Sequence, residues 1–95
     1  MFKSEIRPET QFGISVDEMA QYLCECYKAA NFAHSYNQKY AAFFTQRAKG
    51  IENFLYNSFG ITFMHDYDSD EQISAIVACD KQGRTIKAYQ VQSDA

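Results

Sequence analysis

Nucleophilic chemistry in this chain would have to come from three cysteines, Cys24, Cys26 and Cys79, and two histidines, His34 and His65. A thiol nucleophile needs a His within hydrogen-bond reach and a third group that orients the ring. No sequence spacing joins these five residues. The arrangement to look for is Cys79 and His65 on one face of a strand pair, which would make a small thiol-dependent enzyme or ligand sensor. A structural cysteine and a sheet histidine are the simpler expectation. Cys24 and Cys26 lie two apart on a helical stretch and point about 200° away from each other, so they do not ligate one ion together. An odd number of cysteines without framework spacing is expected as reduced thiols packed like small hydrophobes. No metal and no cofactor is expected, and the chain does not read as an enzyme.

A second cluster is acidic. Asp66, Asp68 and Asp70 fall at the first, third and fifth positions of a stretch whose eighth residue is Ile73, the opening of an EF-hand-like calcium loop. The pattern then fails: Glu71 stands sixth, where the sharp turn takes Gly, and Val77 stands where the bidentate Glu belongs. The segment reads instead as a solvated hairpin loop. The carboxylates of Asp66, Asp68, Asp70 and Glu71 repel nucleic acid and favour a protein partner with a basic surface, chiefly by steering the encounter.

The overall balance supports a folded, non-nucleic-acid-binding chain. Ninety-five residues hold one core, and 46% hydrophobic against 22% charged residues is globular composition. The net charge of −3 has the wrong sign to attract nucleic acid, and the acidic excess lies in residues 61–95. No apolar run approaches the roughly 20 residues of a membrane span. Met1 to Pro8 carries charges where a signal peptide would be apolar, so a cytoplasmic location is expected.

Two helix-start signals position these residues. Ser15 is followed three later by Glu18, and Ser35 by Gln38, each a reciprocal capping arrangement. From Val16, the residues Met19, Ala20, Leu23, Tyr27 and Ala30 fall on one face of a helix. Asn31 to His34 are expected to connect it to a second helix, from about Tyr36 to Phe59, stopped by Gly60. After Gly60 the period changes to two. Ile61–Tyr67, Ile73–Cys79 and Arg84–Val91 read as strands, with Asp80-Lys81-Gln82-Gly83 as the turn between the last two. The expected fold is α+β, one domain over residues 1–95: a helical hairpin packed on a three-stranded antiparallel meander, with a short N-terminal edge strand around Phe2–Ile6.

The second helix is too long and too apolar for that sheet. It spans about 36 Å against about 23 Å for a seven-residue strand, so one end overhangs or bends, most cheaply at Gly50. Its apolar arc, about 160°, is wider than one core needs. Tyr36, Tyr40, Phe43 and Phe44, with Arg47 among them, are left without enough sheet to cover them. Exposed aromatics beside an Arg mark an interface. The expected function is therefore a non-catalytic protein-binding domain working through Tyr36–Arg47 and the Asp66–Glu71 loop, with homodimerisation as one form of contact. In its size, acidity and lack of a catalytic constellation the chain resembles the inhibitors that phages and mobile elements direct at host defence proteins.

Overall fold

The computed structural model describes residues 16–92. Helix α1 spans Val16–His34 and helix α2 Gln38–Phe59; strands β1 (Thr62–Tyr67), β2 (Ile73–Cys79) and β3 (Thr85–Gln90) follow. The strands pair antiparallel in the order β1-β2-β3. The α+β architecture expected from the sequence, a helical hairpin on one face of a meander, is the one observed. The expected N-terminal strand and the Ser15 cap lie outside the described residues.

The helix junction differs from the expected one. Asn31 to His34 continue α1 rather than forming a connection. Asn31 is held by tertiary bonds: its side-chain amide donates to the Ile73 carbonyl at 2.8 Å. The cap of α2 is Asn37, not Ser35. Its side-chain oxygen accepts from the backbone N–H of Lys39 (3.1 Å) and Tyr40 (3.2 Å), satisfying donors that the first helical turn leaves open. At the other end α2 stops where expected, because Gly60 adopts φ 72°, a left-handed conformation that costs Gly little.

Alternation in the sheet sends one row toward the helices. His65 pairs with Ile76 and Ile76 with Tyr89, while Phe63 pairs with Ala78 and Ala78 with Lys87. The opposite row, Met64–Val77–Ala88, faces away. Leu23, Ala48, Ile76 and Val91 are almost completely excluded from water, joined by Tyr27, Cys24 and Cys26. The first turn of α1 is tied to β3, where one Asp17 oxygen accepts from Lys87 Nζ (2.9 Å) and Tyr89 Oη (2.7 Å). These donors hold the Asp17 carboxyl below its ordinary range, the Lys87 hydrogen bond most of all.

Helix α2 runs without a break through Gly50, which is exposed and has nothing within 4 Å of an added Cβ. A glycine inside a helix costs roughly 0.5–1 kcal/mol relative to alanine. Gly50→Ala should raise the unfolding free energy by about that amount in urea denaturation. A lower value would show that α2 depends on the glycine.

Candidate functional site

The polar centre of the fold is Glu52. Stepping 100° per residue, Glu52 falls about 20° from Ala41, on the stripe where α2 buries Ala41, Ala48 and Leu55. Its Oε2 accepts from Tyr27 Oη on α1 at 2.5 Å and lies 2.8 Å from His65 Nε2 on β1. A carboxylate oxygen can only accept, so the proton of this contact is carried by His65 Nε2. Tyr27 Oη and His65 Nε2, 3.3 Å apart, are two donors converging on one oxygen. The Tyr27 and His65 rings meet edge to face with centroids 5.7 Å apart. Burial, and then the bond to Glu52, push the Tyr27 phenol up, so it stays protonated at neutral pH.

This network borders a cleft of about 440 Å³ between the helices and the β1–β2 loop. Tyr27, His65, Lys49, Tyr67, Asp70 and Glu71 contribute to its lining. The loop is organised by Asp68, whose Oδ1 accepts from the backbone N–H of Asp70 (2.8 Å) and Gln72 (3.0 Å) and whose Oδ2 accepts from Gln92 Nε2 (2.8 Å). Glu71 sits at φ 64°, left-handed backbone unusual for a residue with a Cβ. Asp68 is thus spent on the loop itself, its carboxyl held low chiefly by Gln92, while Asp70 and Glu71 reach the cleft. Asp66 is exposed on the sheet face that points away from the helices.

The aromatic residues named from the sequence lie elsewhere. Tyr36, Tyr40 and Phe43 are 63%, 57% and 56% exposed, with Phe32 of α1 at 72%. Phe32 packs edge to face on Tyr36 and Phe43 on Phe44, which is half-buried. Arg47 is bound within the chain: its Nε donates to Tyr22 Oη at 2.6 Å and its guanidinium lies 5.6 Å from the Tyr22 ring centroid. On the helical wheel Tyr40, Phe43 and Arg47 are on the opposite side of α2 from Thr45, Lys49 and Glu52. The two surfaces expected to act together are therefore separate faces.

The thiol pair is not assembled. Cys79 pairs with Thr62 and His65 with Ile76, three positions along β1, which puts the two side chains on opposite sides of the sheet. Cys79 is buried with its Sγ 3.9 Å from the Val77 carbonyl. Burial also pushes up the thiols of Cys24, to about 11, and of Cys26. Among the described residues no group of three or more His, Cys, Asp and Glu could hold a metal ion. No described helix is long and apolar enough to cross a membrane.

The sequence reading passed over Tyr27 and Glu52 as functional residues. Tyr27 looked like one more apolar position of α1. The available signal was Glu52, a carboxylate at the edge of an apolar arc, which requires a partner wherever that face is buried.

Compared with protein-family models, with curated proteins and with solved structures, the chain matches none.

Two measurements follow from these contacts. Glu52→Ala strands two part-buried donors and should cost about 1–3 kcal/mol in urea denaturation. Adding Tyr27→Phe should then cost little, because the lost hydroxyl has no acceptor left; fully additive losses would show that the two groups are uncoupled. At high pH the unfolded chain releases the Cys24 proton near its ordinary 9.0 and the folded chain only near 11. A raised folded-state value means stability is fully present below the lower figure and declines as pH rises between the two. Cys24→Ala should flatten the first part of that decline. An unchanged slope would show that the thiol ionises alike in both states.

Proposed function

We propose that the chain is a non-catalytic protein-interaction domain whose aromatic face on α2 pairs with a second copy. The single observation that supports this is the aromatic surface of Tyr40 and Phe43 on one side of α2 and Tyr36 in the turn just before its cap, each more than half exposed. Side chains of this type are rigid and amphipathic and contribute much of the energy at interfaces. Like aromatic surfaces, rather than charge, favour a second copy as the occupant, with the cations Lys39 and Arg47 of the same side at the rim of the contact. The single carboxylate of α2, Glu52, is turned to the sheet, and Arg47 is already matched by Tyr22. Two such stripes therefore meet without opposed acids, and a two-fold axis near Tyr40 and Phe43 would place like aromatic surfaces against each other.

In this reading the acidic cleft side stays free in the dimer and is available to a protein with a basic surface. Blocking another protein by surface contact is the mode of an inhibitor of a host or defence protein, and it requires none of the three thiols.

Static light scattering across a range of concentrations tests the reading. The wild-type chain should give the dimer mass, and Tyr40→Glu with Phe43→Glu should give the monomer mass while retaining the wild-type far-ultraviolet circular dichroism. Wild-type protein that remains a monomer at every concentration overturns it.

A further inference from the structure

The face of the sheet turned away from the helices is apolar where a wetted face should be polar. Its rows are Met64–Val77–Ala88 and Asp66–Ala75–Gln90. In an antiparallel sheet with one face in water, inward apolar residues alternate with outward polar ones. Strand β2 does not alternate: Ser74 is its one polar residue, and Ala75 and Val77 stand on the outer rows. A short unbroken apolar run is the pattern of a strand covered on both faces. Both described helices pack on the other side, against Ile76, Phe63 and Tyr89, so Met64 is left 61% exposed with Ala88 exposed in its row. Strand β3 also ends the sheet with an unpaired edge among the described residues.

Area decides what kind of occupant this face takes. A six-residue strand is about 20 Å long and the outer two of three strands lie about 10 Å apart, so the face offers about 200–300 Å². Each partner in a stable protein interface buries about 800 Å². A separate molecule, a second copy included, therefore gains too little here to offset its lost freedom of movement. A segment of the same chain is already held nearby and loses much less. Fifteen residues precede Val16 in the sequence. Asp17 is bonded to Lys87 and Tyr89, so that segment leaves the described fold beside β3, at the open edge of the sheet. Fifteen residues reach about 50 Å when extended, whereas rounding the edge and crossing the sheet takes about 20 Å. The segment carries Phe2, Ile6, Phe12 and Ile14, and its cations Lys3 and Arg7 match Asp66, the one charged residue of the two outer rows. We propose that residues 1–15 pass around the β3 edge and pack these apolar side chains on the outer face of the sheet, over Met64, Val77 and Ala88.

The inference concerns the sheet and does not rest on dimerisation through α2. In the chain carrying Tyr40→Glu and Phe43→Glu the surroundings of Met64 should be those of the wild type, so failure of one reading is distinguishable from failure of the other.

The test is NMR on the full chain with carbon-13 in the methionine methyl groups, the Met64 signal being assigned by its loss in Met64→Leu. Nuclear Overhauser contacts are expected from this methyl to at least one of Phe2, Ile6, Phe12 and Ile14. In a mixture of labelled and unlabelled chains, filtered for contacts between molecules, the same contacts should be absent. A full-length variant with all four of those residues changed to Ser should keep the wild-type far-ultraviolet circular dichroism. Its Met64 methyl should be broadened by a soluble neutral nitroxide several-fold more than that of the wild type. The contacts are read on the wild-type chain, so they decide the matter even where the variant does not fold. Absence of any contact between Met64 and residues 1–15, or equal broadening in the wild type and a folded variant, overturns the proposal. Contacts found only between molecules also overturn it, and assign the face to a second copy.

Discussion

The close approach of α1 and α2 governs what the rest of the structure does with its side chains. The buried positions of the two helices are rich in alanine: Ala20, Ala30 and Ala33 on α1, Ala41 and Ala48 on α2. Small residues let two helix backbones come together, but they contribute little buried area of their own. Large side chains that are fully buried are few, namely Leu23, Leu55, Ile76 and Val91. Among the described aromatic residues Tyr27 alone is buried. A two-layer fold covers one side of each layer. With alanines at the contact, most aromatic residues of both helices are left to the edges and the outer surface.

A core this thin gains specificity from polar ties, and three of them fix the hairpin to the sheet at separate points. Asp17 joins the start of α1 to β3, Asn31 joins its end to β2, and Glu52 joins α2 to β1 while also holding Tyr27. Each demands a particular register. A slip of one residue in β1 would turn His65 to the far side of the sheet and leave Glu52 without its donor. An apolar residue at position 52 would pack there, but it would accept several registers equally well. The same geometry that secures register leaves His65 at the wall of the cleft.

Much of this was legible in the sequence, because the architecture follows from periodicities that packing does not override. The change from a helical period to a period of two at Gly60, and the Asp80–Gly83 turn, mark the three described strands to within a residue or two. The junction between helices was misplaced because Ser35 and Gln38 have the form of a capping box, yet Asn37 caps at a point set by where α1 can end. The last turn of α1 is also tied by the Asn31 bond to Ile73, a contact across 42 residues of chain that no local pattern encodes. The width of the apolar arc on α2 was readable, but its direction was not. The sheet packs against the Ala41–Glu52 side, so the aromatic side faces outward and the carboxylate faces in. Cys79 and His65 were separable only once the register was known, since strand alternation places them by pairing and not by distance along the chain.

The separation of the two faces of α2 has a consequence for how charge and apolar surface can coexist on so small a chain. An acidic loop beside the aromatic stripe would oppose self-association, because paired stripes would bring like charges together in a partly dry contact. With Asp70 and Glu71 gathered across the helix from Tyr40 and Phe43, the carboxylates remain solvated when the stripe is covered. In the proposed dimer their field would be directed away from the second copy. The helix itself supplies the separation: one α-helix turned through about half a revolution presents rings on one side and, on the other, the ammonium of Lys49 and the carboxylate of Glu52.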